Sequence, residues 1–212
     1  PFEEITYCDS TKEKPYSDAF KLLFERRLFS DKIKFYISYS EKYLNRLIIP
    51  FYRNSTLFYF QARALNNEKP RYLNCPRQKK STVLYPYNTA QDTVLLCEGP
   101  LDAISLQIQG INATAAMGSS VSLQQMILLM QHETKIVLAF DNDEAGRHAL
   151  GNANYLRKKL RIPELSYCFP PKEYKDWNEA HTAQMDLKSY VDNNTKLLSW
   201  EAMSFLQLQG NI

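Results

Sequence analysis

The chain has 212 residues with a hydrophobic content of 44%, enough for one large core or two smaller ones. Its formal net charge of +3 and its pI near 8.6 are only mildly basic, so composition by itself does not identify a nucleic-acid-binding protein. The four cysteines form no CxxC pair, which argues against a zinc ribbon or a disulfide framework. No apolar run reaches the roughly 20 residues of a membrane-spanning helix. We therefore expect a cytoplasmic protein that does not enter a membrane. Because the chain starts at Pro1 and not at methionine, we also expect it to be a piece of a longer protein.

Residues 1–90 predict a small, mixed α+β subdomain with a basic surface. Apolar side chains recur at helical spacing from Asp18 to about Leu28, which predicts an amphipathic helix. The segments Leu47–Tyr52 and Leu57–Arg63 are rich in aromatic and β-branched residues and are separated by a short turn, so they predict a β-hairpin. In the loop that follows, from Asn66 to Lys80, basic residues outnumber the one glutamate. This loop is the strongest positive cluster of the sequence.

From Thr93 onward, short apolar runs alternate with amphipathic helices. Strands are predicted at 93–97, 111–116, 135–140 and 165–169, and helices at 101–109, 122–131 and 145–160. This βαβα order predicts an α/β fold with a parallel sheet that carries helices on both faces. The sequence thus predicts a basic subdomain at 1–90, an α/β domain at 91–182 and a helical C-terminal segment at 183–212.

Acidic residues follow two of the predicted strands directly. Glu98 comes after the strand 93–97, and Asp141 and Asp143 come after the strand 135–140. The carboxyl ends of parallel strands meet at one sheet edge, and residues two apart in an extended segment face the same side. Three carboxylates so close favour a bound Mg²⁺ or Mn²⁺ ion and phosphoryl transfer on nucleotides or nucleic acid. An Asp-x-Asp segment before a helix also fits a simple helix cap, so the motif alone leaves both interpretations open.

Two longer motifs contain these acids. The segments Glu98–Ala103 (EGPLDA) and Asp141–Arg147 (DNDEAGR) closely resemble the two signature motifs of the Toprim domain, and Gly110–Asn112 and Ala116–Ser120 between them resemble its primase version. The resemblance covers roughly Thr93 to Ala180. Toprim domains are shared by DnaG-type primases, type IA and type II topoisomerases and certain nucleases, and the resemblance implies the Toprim fold.

The upstream segments distinguish among these families. Leu47–Phe51 (LIIPF), Phe60–Leu65 (FQARAL), Pro70–Pro76 (PRYLNCP) and Lys80–Tyr85 (KSTVLY) resemble the basic subdomain that precedes Toprim in bacterial and phage primases. Topoisomerases need a tyrosine nucleophile on a large separate domain, for which the remaining residues leave no room. The sequence therefore resembles the catalytic core of a DnaG-type primase.

The resemblance to the primase basic subdomain implies five nucleic-acid or nucleotide contacts. Arg63, Arg71 and Lys80 stand where the family holds template and nucleotide phosphates, with Arg71 in place of the more usual lysine. Tyr72 and Asn74 belong to the same PRYLNCP motif and are expected to contact nucleic acid. For Tyr72, stacking on a base and packing in the core remain two open interpretations.

The Toprim resemblance implies five acidic site residues. Glu98, Asp141 and Asp143 are expected to bind the metal ion, and Asp102, one helical turn beyond Glu98, is expected to orient that carboxylate or to act only as an N-terminal helix charge. Asp176 matches the acidic motif that closes the primase Toprim region, although it also fits a helix cap.

The function that the resemblance implies is synthesis of short RNA primers on single-stranded DNA by a metal-dependent nucleotidyltransferase. Its expected cofactor is Mg²⁺ or Mn²⁺. The expected partners are a single-stranded DNA template, ribonucleoside triphosphates and a replicative helicase, fused or separate, in the cytoplasm of a bacterial or phage-infected cell. Two alternatives remain: a Toprim nuclease that cuts DNA with the same metal cluster, and a non-catalytic Toprim module of a replication assembly.

Overall fold

The computed structural model describes residues 2–6, 13–132, 134–199 and 202–203. The chain divides into two compact units, Pro1–Gln78 and Lys79–Ile212. The cysteines Cys75, Cys97 and Cys168 are free thiols, and Cys8 lies outside the described residues. The predicted division at 1–90, 91–182 and 183–212 remains a proposal.

The first unit is an antiparallel sheet with one α-helix. Its elements are β1 (Phe2–Glu4), α1 (Tyr16–Glu25), β2 (Tyr36–Ser38), a 3₁₀ turn (Glu41–Tyr43), β3 (Arg46–Arg53), β4 (Thr56–Ala64) and β5 (Tyr72–Asn74). The five strands lie in the order β1-β2-β3-β4-β5, and every neighbouring pair is antiparallel. The predicted hairpin is the β3–β4 pair. It turns at Asn54 and Ser55, whose φ angles of 48° and 62° suit a tight two-residue turn.

Helix α1 ends at Glu25, whereas the sequence predicted a helix that continues to about Leu28. Arg27 adopts a left-handed φ of 53°, and the N–H groups of Arg27 and Leu28 turn back to the carbonyl oxygens of Phe24 and Leu23. This arrangement is a Schellman cap, which satisfies the last carbonyl groups of a helix and stops its growth. Leu28 is nevertheless fully buried, so its apolar character belongs to the core and not to a further helical turn.

The second unit is an α/β domain. Its elements are a 3₁₀ turn (Lys80–Thr82), β6 (Thr93–Cys97), α2 (Pro100–Ile108), β7 (Ala113–Ala115), α3 (Leu123–Met130), β8 (Lys135–Leu138), α4 (Glu144–Leu160), β9 (Ser166–Tyr167), α5 (Trp177–Thr182), α6 (Leu187–Asn194) and β10 (Lys196–Leu197). The sheet order is β10-β9-β8-β6-β7, with β9, β8, β6 and β7 parallel and β10 antiparallel to β9. The segment predicted to be helical after residue 182 therefore contains a strand as well as α6.

Helices cover both faces of this parallel sheet. Val94 and Leu96 of β6 join a buried cluster with residues of α3 and α4, such as Met126 and Leu150. Successive strand residues point to opposite faces, so the buried Leu95 faces the other side. Helix α2 contacts β6, β7 and α5. The predicted α/β class is confirmed by this layering. No helix in the described part of the chain is long and apolar enough to cross a membrane.

Candidate active site

Glu98 and Asp141 meet at the carboxyl edge of the parallel sheet. Strands β6 and β8 are hydrogen-bonded neighbours in parallel register, so the residues that follow them leave the sheet at the same edge. The backbone N–H of Asp141 donates to Oε1 of Glu98 at 3.4 Å. The two acids that follow separate strands in the sequence are therefore adjacent in the structure.

Asp143 has both of its carboxylate oxygens engaged. It is the N-cap of α4, and its Oδ1 accepts a hydrogen bond from the N–H of Gly146 at 3.0 Å. Its Oδ2 lies 3.3 Å from Nζ of Lys175, an ion pair that the sequence did not indicate. Burial raises the pKa of Asp143, but the hydrogen bonds from Gly146 and Lys175 outweigh burial and hold the pKa below its usual value. The hydrogen bond to Asp143 in turn raises the pKa of Lys175.

The other two predicted acids support helix starts. Asp102 accepts the backbone N–H of Asn178 at 3.1 Å, which ties α2 to the first turn of α5. Asp176 is the N-cap of α5 and accepts the N–H of Glu179 at 2.7 Å, as its capping interpretation predicts. Asn178 is 1% exposed, and its side-chain amide donates to Oγ of Ser105 at 2.9 Å. The structural role of Asn178 was missed from sequence.

The acids act on one another electrostatically. Burial, followed by the charges of Asp102, Glu98, Asp176 and Asp143, raises the pKa of Asp141 to about 8. Burial also raises the pKa of Glu98, with a further contribution from Asp143, although the N–H of Asp141 opposes the rise. Oδ1 of Asp141 is buried without a hydrogen-bond partner among the described residues. An anionic Asp141 is therefore costly here unless a cation compensates for it.

These residues fit a divalent cation as oxygen ligands. The unpartnered Oδ1 of Asp141 and the carboxylate of Glu98 are the hard donors that Mg²⁺ and Mn²⁺ prefer. Within the described residues, no three His, Cys, Asp or Glu side chains are already close enough to share one ion. Mg²⁺ commonly uses only one or two protein carboxylates and completes its shell with water and substrate phosphates, so the site does not need a preformed triad.

Two glycines permit close approaches at this edge. A Cβ on Gly146 would overlap the backbone carbonyl oxygen of Asp141, and a Cβ on Gly118 would lie 3.0 Å from Nζ of Lys80. In the loop that contains Gly118, the left-handed φ of 59° belongs to Met117. Gly118 therefore serves the approach of the Lys80 side chain and not the turn itself.

Lys80 lies beside the loop that adjoins Glu98. Its Nζ donates to the carbonyl oxygen of Met117 at 3.4 Å, and the N–H of Gly118 donates to the carbonyl oxygen of Glu98 at 3.1 Å. Of the three predicted phosphate ligands, Lys80 is the one that the second unit contributes. It lies next to the sheet edge that carries Glu98 and Asp141, which we call the acidic edge.

Arg63 and Arg71 line an open groove within the first unit. The groove has a volume of about 1010 Å³ and lies between α1 and the chain segment 63–71; Arg26 and Lys69 add positive charge to its wall. Arg63 is 6% exposed, its Nε has no hydrogen-bond partner in the described part of the chain, and burial lowers its pKa. A buried guanidinium with an unused donor suits an anion that enters the groove.

Tyr72 and Asn74, the other two predicted contacts, belong to the edge strand β5. Tyr72 is partly buried and pairs with Arg63 across the sheet. The side-chain oxygen of Asn74 accepts hydrogen bonds from Tyr59 at 2.9 Å and from Gln61 at 3.0 Å, so that oxygen stabilises the sheet. Nucleic-acid binding by Tyr72 and Asn74 therefore remains a prediction.

Comparisons with known proteins agree with this geometry. Residues 95–181 match the Toprim-like family. The DNA primase of Clostridium acetobutylicum is 35% identical over 141 residues, which cover 58% of this chain and 24% of that primase. A crystal structure of a DNA primase domain from Pseudomonas aeruginosa gives a TM-score of 0.70 at 24% identity and covers 89% of this chain and 63% of that one. The DnaG primase catalytic domain bound to single-stranded DNA gives 0.67 at 22% identity, covering 89% and 62%.

The fold and these matches make residues 95–181 similar to Toprim-like domains. The chain as a whole is similar to the catalytic core of DnaG-type DNA primases, so the resemblance predicted from the sequence motifs is confirmed. The chain spans about a quarter of the length of the Clostridium primase that it matches.

Proposed function

We propose that this chain carries the catalytic core of a DNA primase, which joins ribonucleotides into short RNA primers on single-stranded DNA. The observation that carries the proposal is the acidic edge of the Toprim sheet, where the buried, unpartnered Oδ1 of Asp141 lies beside Glu98. The similarity to DNA primases and the basic groove of the first unit support the choice of primase among the Toprim functions.

Glu98, Asp141 and Asp143 would hold the divalent ion, with Mg²⁺ or Mn²⁺ as the proposed metal. When bound, the ion would stabilise negative charge on the nucleotide triphosphate and the leaving pyrophosphate. Asp102 and Asp176 are positioning residues in this proposal, because their hydrogen bonds hold the start of α5.

The basic residues bind phosphate in this proposal. Lys80 presents its ammonium group beside the loop of Glu98, which suits a nucleotide or primer phosphate. Arg63 and Arg71 line the groove of the first unit and hold the backbone of the template, with Tyr72 and Asn74 on the adjacent strand. The single-stranded DNA, the ribonucleoside triphosphates, a replicative helicase and a cytoplasmic location are proposed from the resemblance to the primase family.

A primer-synthesis assay tests the proposal. The purified chain is incubated with single-stranded DNA, labelled ribonucleotides and Mg²⁺ or Mn²⁺, beside a variant that combines Asp141→Ala with Asp143→Ala. Short RNA products that disappear in the variant support the primase. Metal-dependent cutting of the DNA without RNA products makes the nuclease alternative correct, and the absence of both activities points to a catalytic core that needs a zinc module or a helicase for synthesis.

Substitution of Arg71 tests the template groove. Arg71→Gln is expected to weaken single-stranded DNA binding and to reduce the slope of log K against log salt by about 0.7, the contribution of one phosphate contact. Arg71 is more suitable than Arg63 because Arg71 is exposed, whereas Arg63 is 6% exposed and its loss would disturb the sheet. Binding is measured by fluorescence anisotropy between low and high salt. Lys188→Gln removes the same charge from the exposed surface of α6 and should leave the slope unchanged; equal slopes in all three proteins would contradict the prediction.

A further inference from the structure

Lys175 brings a positive charge to the acidic edge from the segment before α5. Its backbone is fixed at both ends: its carbonyl oxygen accepts the N–H of Asn142 at 2.8 Å, and its own N–H donates to the carboxylate of Glu179 at 2.8 Å. Asn142 lies between the two aspartates of the DND motif. The backbone of Lys175 is therefore tied to the same loop that carries Asp141 and Asp143.

The side chain of Lys175, in contrast, lies at the surface. It is 61% exposed, and its Nζ lies 3.3 Å from Oδ2 of Asp143. Exposed ion pairs of this kind contribute little to stability, and a lysine ammonium on its flexible stem can change partners at low cost. Lys175 thus combines an anchored position with a mobile charge.

The oxygen that Lys175 holds is the one that a metal ion would need. Oδ1 of Asp143 accepts the N–H of Gly146 and caps α4, so Oδ2 is the oxygen that remains for a ligand. Lys175 occupies Oδ2. A divalent ion that binds Oδ2 therefore meets the positive charge of Lys175, which opposes its approach until the ammonium group moves away.

We propose that Lys175 is a displaceable counter-cation, which holds Oδ2 of Asp143 until a divalent ion takes that oxygen and then binds a phosphate oxygen of the nucleotide. The inference rests on the metal site of the proposed function and adds a phosphate-binding residue to it. The released ammonium stays within one side-chain length of the loop because its backbone is bonded to Asn142. A cation at that distance suits the triphosphate, which carries several negative charges.

Mn²⁺ titration of the whole chain tests the competition. Free Mn²⁺ is measured by electron paramagnetic resonance without nucleotide or DNA, for wild type, Lys175→Gln, Lys175→Arg and Lys172→Gln. Because the competing cation is lost, Lys175→Gln is expected to bind Mn²⁺ roughly twofold to fivefold more tightly, the range of an exposed ion pair. Lys175→Arg keeps the charge and should resemble wild type. Lys172→Gln removes an exposed charge three residues away, where no ion pair with the acidic edge is present among the described residues.

The same proteins are then titrated with α,β-methylene ATP in saturating Mn²⁺. Lys175→Gln is expected to bind this analogue roughly threefold to tenfold more weakly than Lys172→Gln, the net contribution of one solvent-exposed hydrogen bond to phosphate. A purely structural role for Lys175 would not change the two affinities in opposite directions. Circular dichroism melting curves establish that all variants are folded.

The outcomes separate this inference from the primase proposal. Equal Mn²⁺ affinity in Lys175→Gln and Lys172→Gln would show that Lys175 does not compete with the ion for Asp143. Equal affinity of these two variants for the ATP analogue would show that Lys175 does not bind the nucleotide phosphate. Primer synthesis by the wild-type chain together with either of these results leaves the primase standing alone. Tighter Mn²⁺ binding in Lys175→Gln without primer synthesis by the wild-type chain supports the counter-cation and not the primase.

Discussion

Asp141→Asn is expected to abolish primer synthesis and, in the same protein, to raise the melting temperature of the metal-free chain at pH 8. The two effects have one cause. Asp141 is buried among other acids, its Oδ1 has no partner among the described residues, and its pKa is raised to about 8. A buried carboxyl group without a hydrogen-bond partner destabilises the metal-free chain but provides the oxygen that a cation requires.

The sign of the pH dependence follows from the raised pKa of Asp141. In the folded chain the carboxyl group keeps its proton up to about pH 8, whereas in the unfolded chain it loses the proton near its usual pKa of about 4. The folded state thus binds more protons between these values, so the free energy of unfolding falls as the pH rises from about 4 to about 8. Asn cannot ionise, and its stabilising effect should therefore grow over this interval and vanish near pH 4.

The effects of Asp141→Asn on stability and on activity are both expected to be large enough to measure. After a discount for solvent screening, the gain at pH 8 is on the order of 1–3 kcal/mol, or roughly 3–10 °C in Tm. The loss of activity should exceed about 100-fold, because even residues that only support metal ligands cost about 10–100-fold. Melting curves in EDTA at pH 4 and pH 8 measure the first effect and the primer assay the second.

Asp192→Asn on the exposed surface of α6 is the matched control and should change neither quantity. A lower melting temperature for Asp141→Asn at pH 8, relative to wild type, would show that the Asp141 carboxylate is not held at a cost. Addition of Mn²⁺ should stabilise the wild-type chain and leave the variant almost unchanged, because a ligand stabilises only the state that binds it.

The meeting of Glu98 and Asp141 was predictable because it depends on sheet topology alone. Each acid follows an apolar strand, and parallel neighbouring strands bring their carboxyl ends to one edge. The β3–β4 hairpin was predictable for a similar reason, since strand composition and a short polar turn are local signals. Such features are determined by residues that are close together in the sequence or by a regular period.

The contacts of Lys175 and Asn178 could not be predicted in the same way. Lys175 reaches Asp143, and Asn178 bonds to Asp102 and Ser105, across 32 or more positions of the sequence. No periodic pattern marks such pairs, because they depend on how the segment before α5 returns to the sheet edge. Asp143 shows a related limit: the sequence offered a helix cap or a metal ligand, whereas in the structure one oxygen caps α4 and the other pairs with Lys175.

Gly146→Ala is expected to damage the site as severely as the loss of a ligand, although Gly146 has no side chain that could bind anything. Gly146 is buried in the first turn of α4, and a Cβ there would overlap the backbone carbonyl oxygen of Asp141. Backbone cannot rotate away as a side chain can, so either the start of α4 or the DND loop must move. Overpacking of this kind costs about 1–3 kcal/mol, and a misplacement of about 1 Å at a reacting centre lowers activity by about 100-fold.

The same helix provides the control for Gly146→Ala. Gly151 is partly exposed in the middle of α4, where alanine is the better helix former by about 1 kcal/mol, so Gly151→Ala should keep or raise the melting temperature. For Gly146→Ala we expect a lower melting temperature, weaker Mn²⁺ binding and loss of primer synthesis. Normal Mn²⁺ affinity in a destabilised Gly146→Ala chain would show that the helix moves and the loop does not. In that case the close approach of Gly146 to Asp141 supports the fold of α4 and not the geometry of the acidic edge.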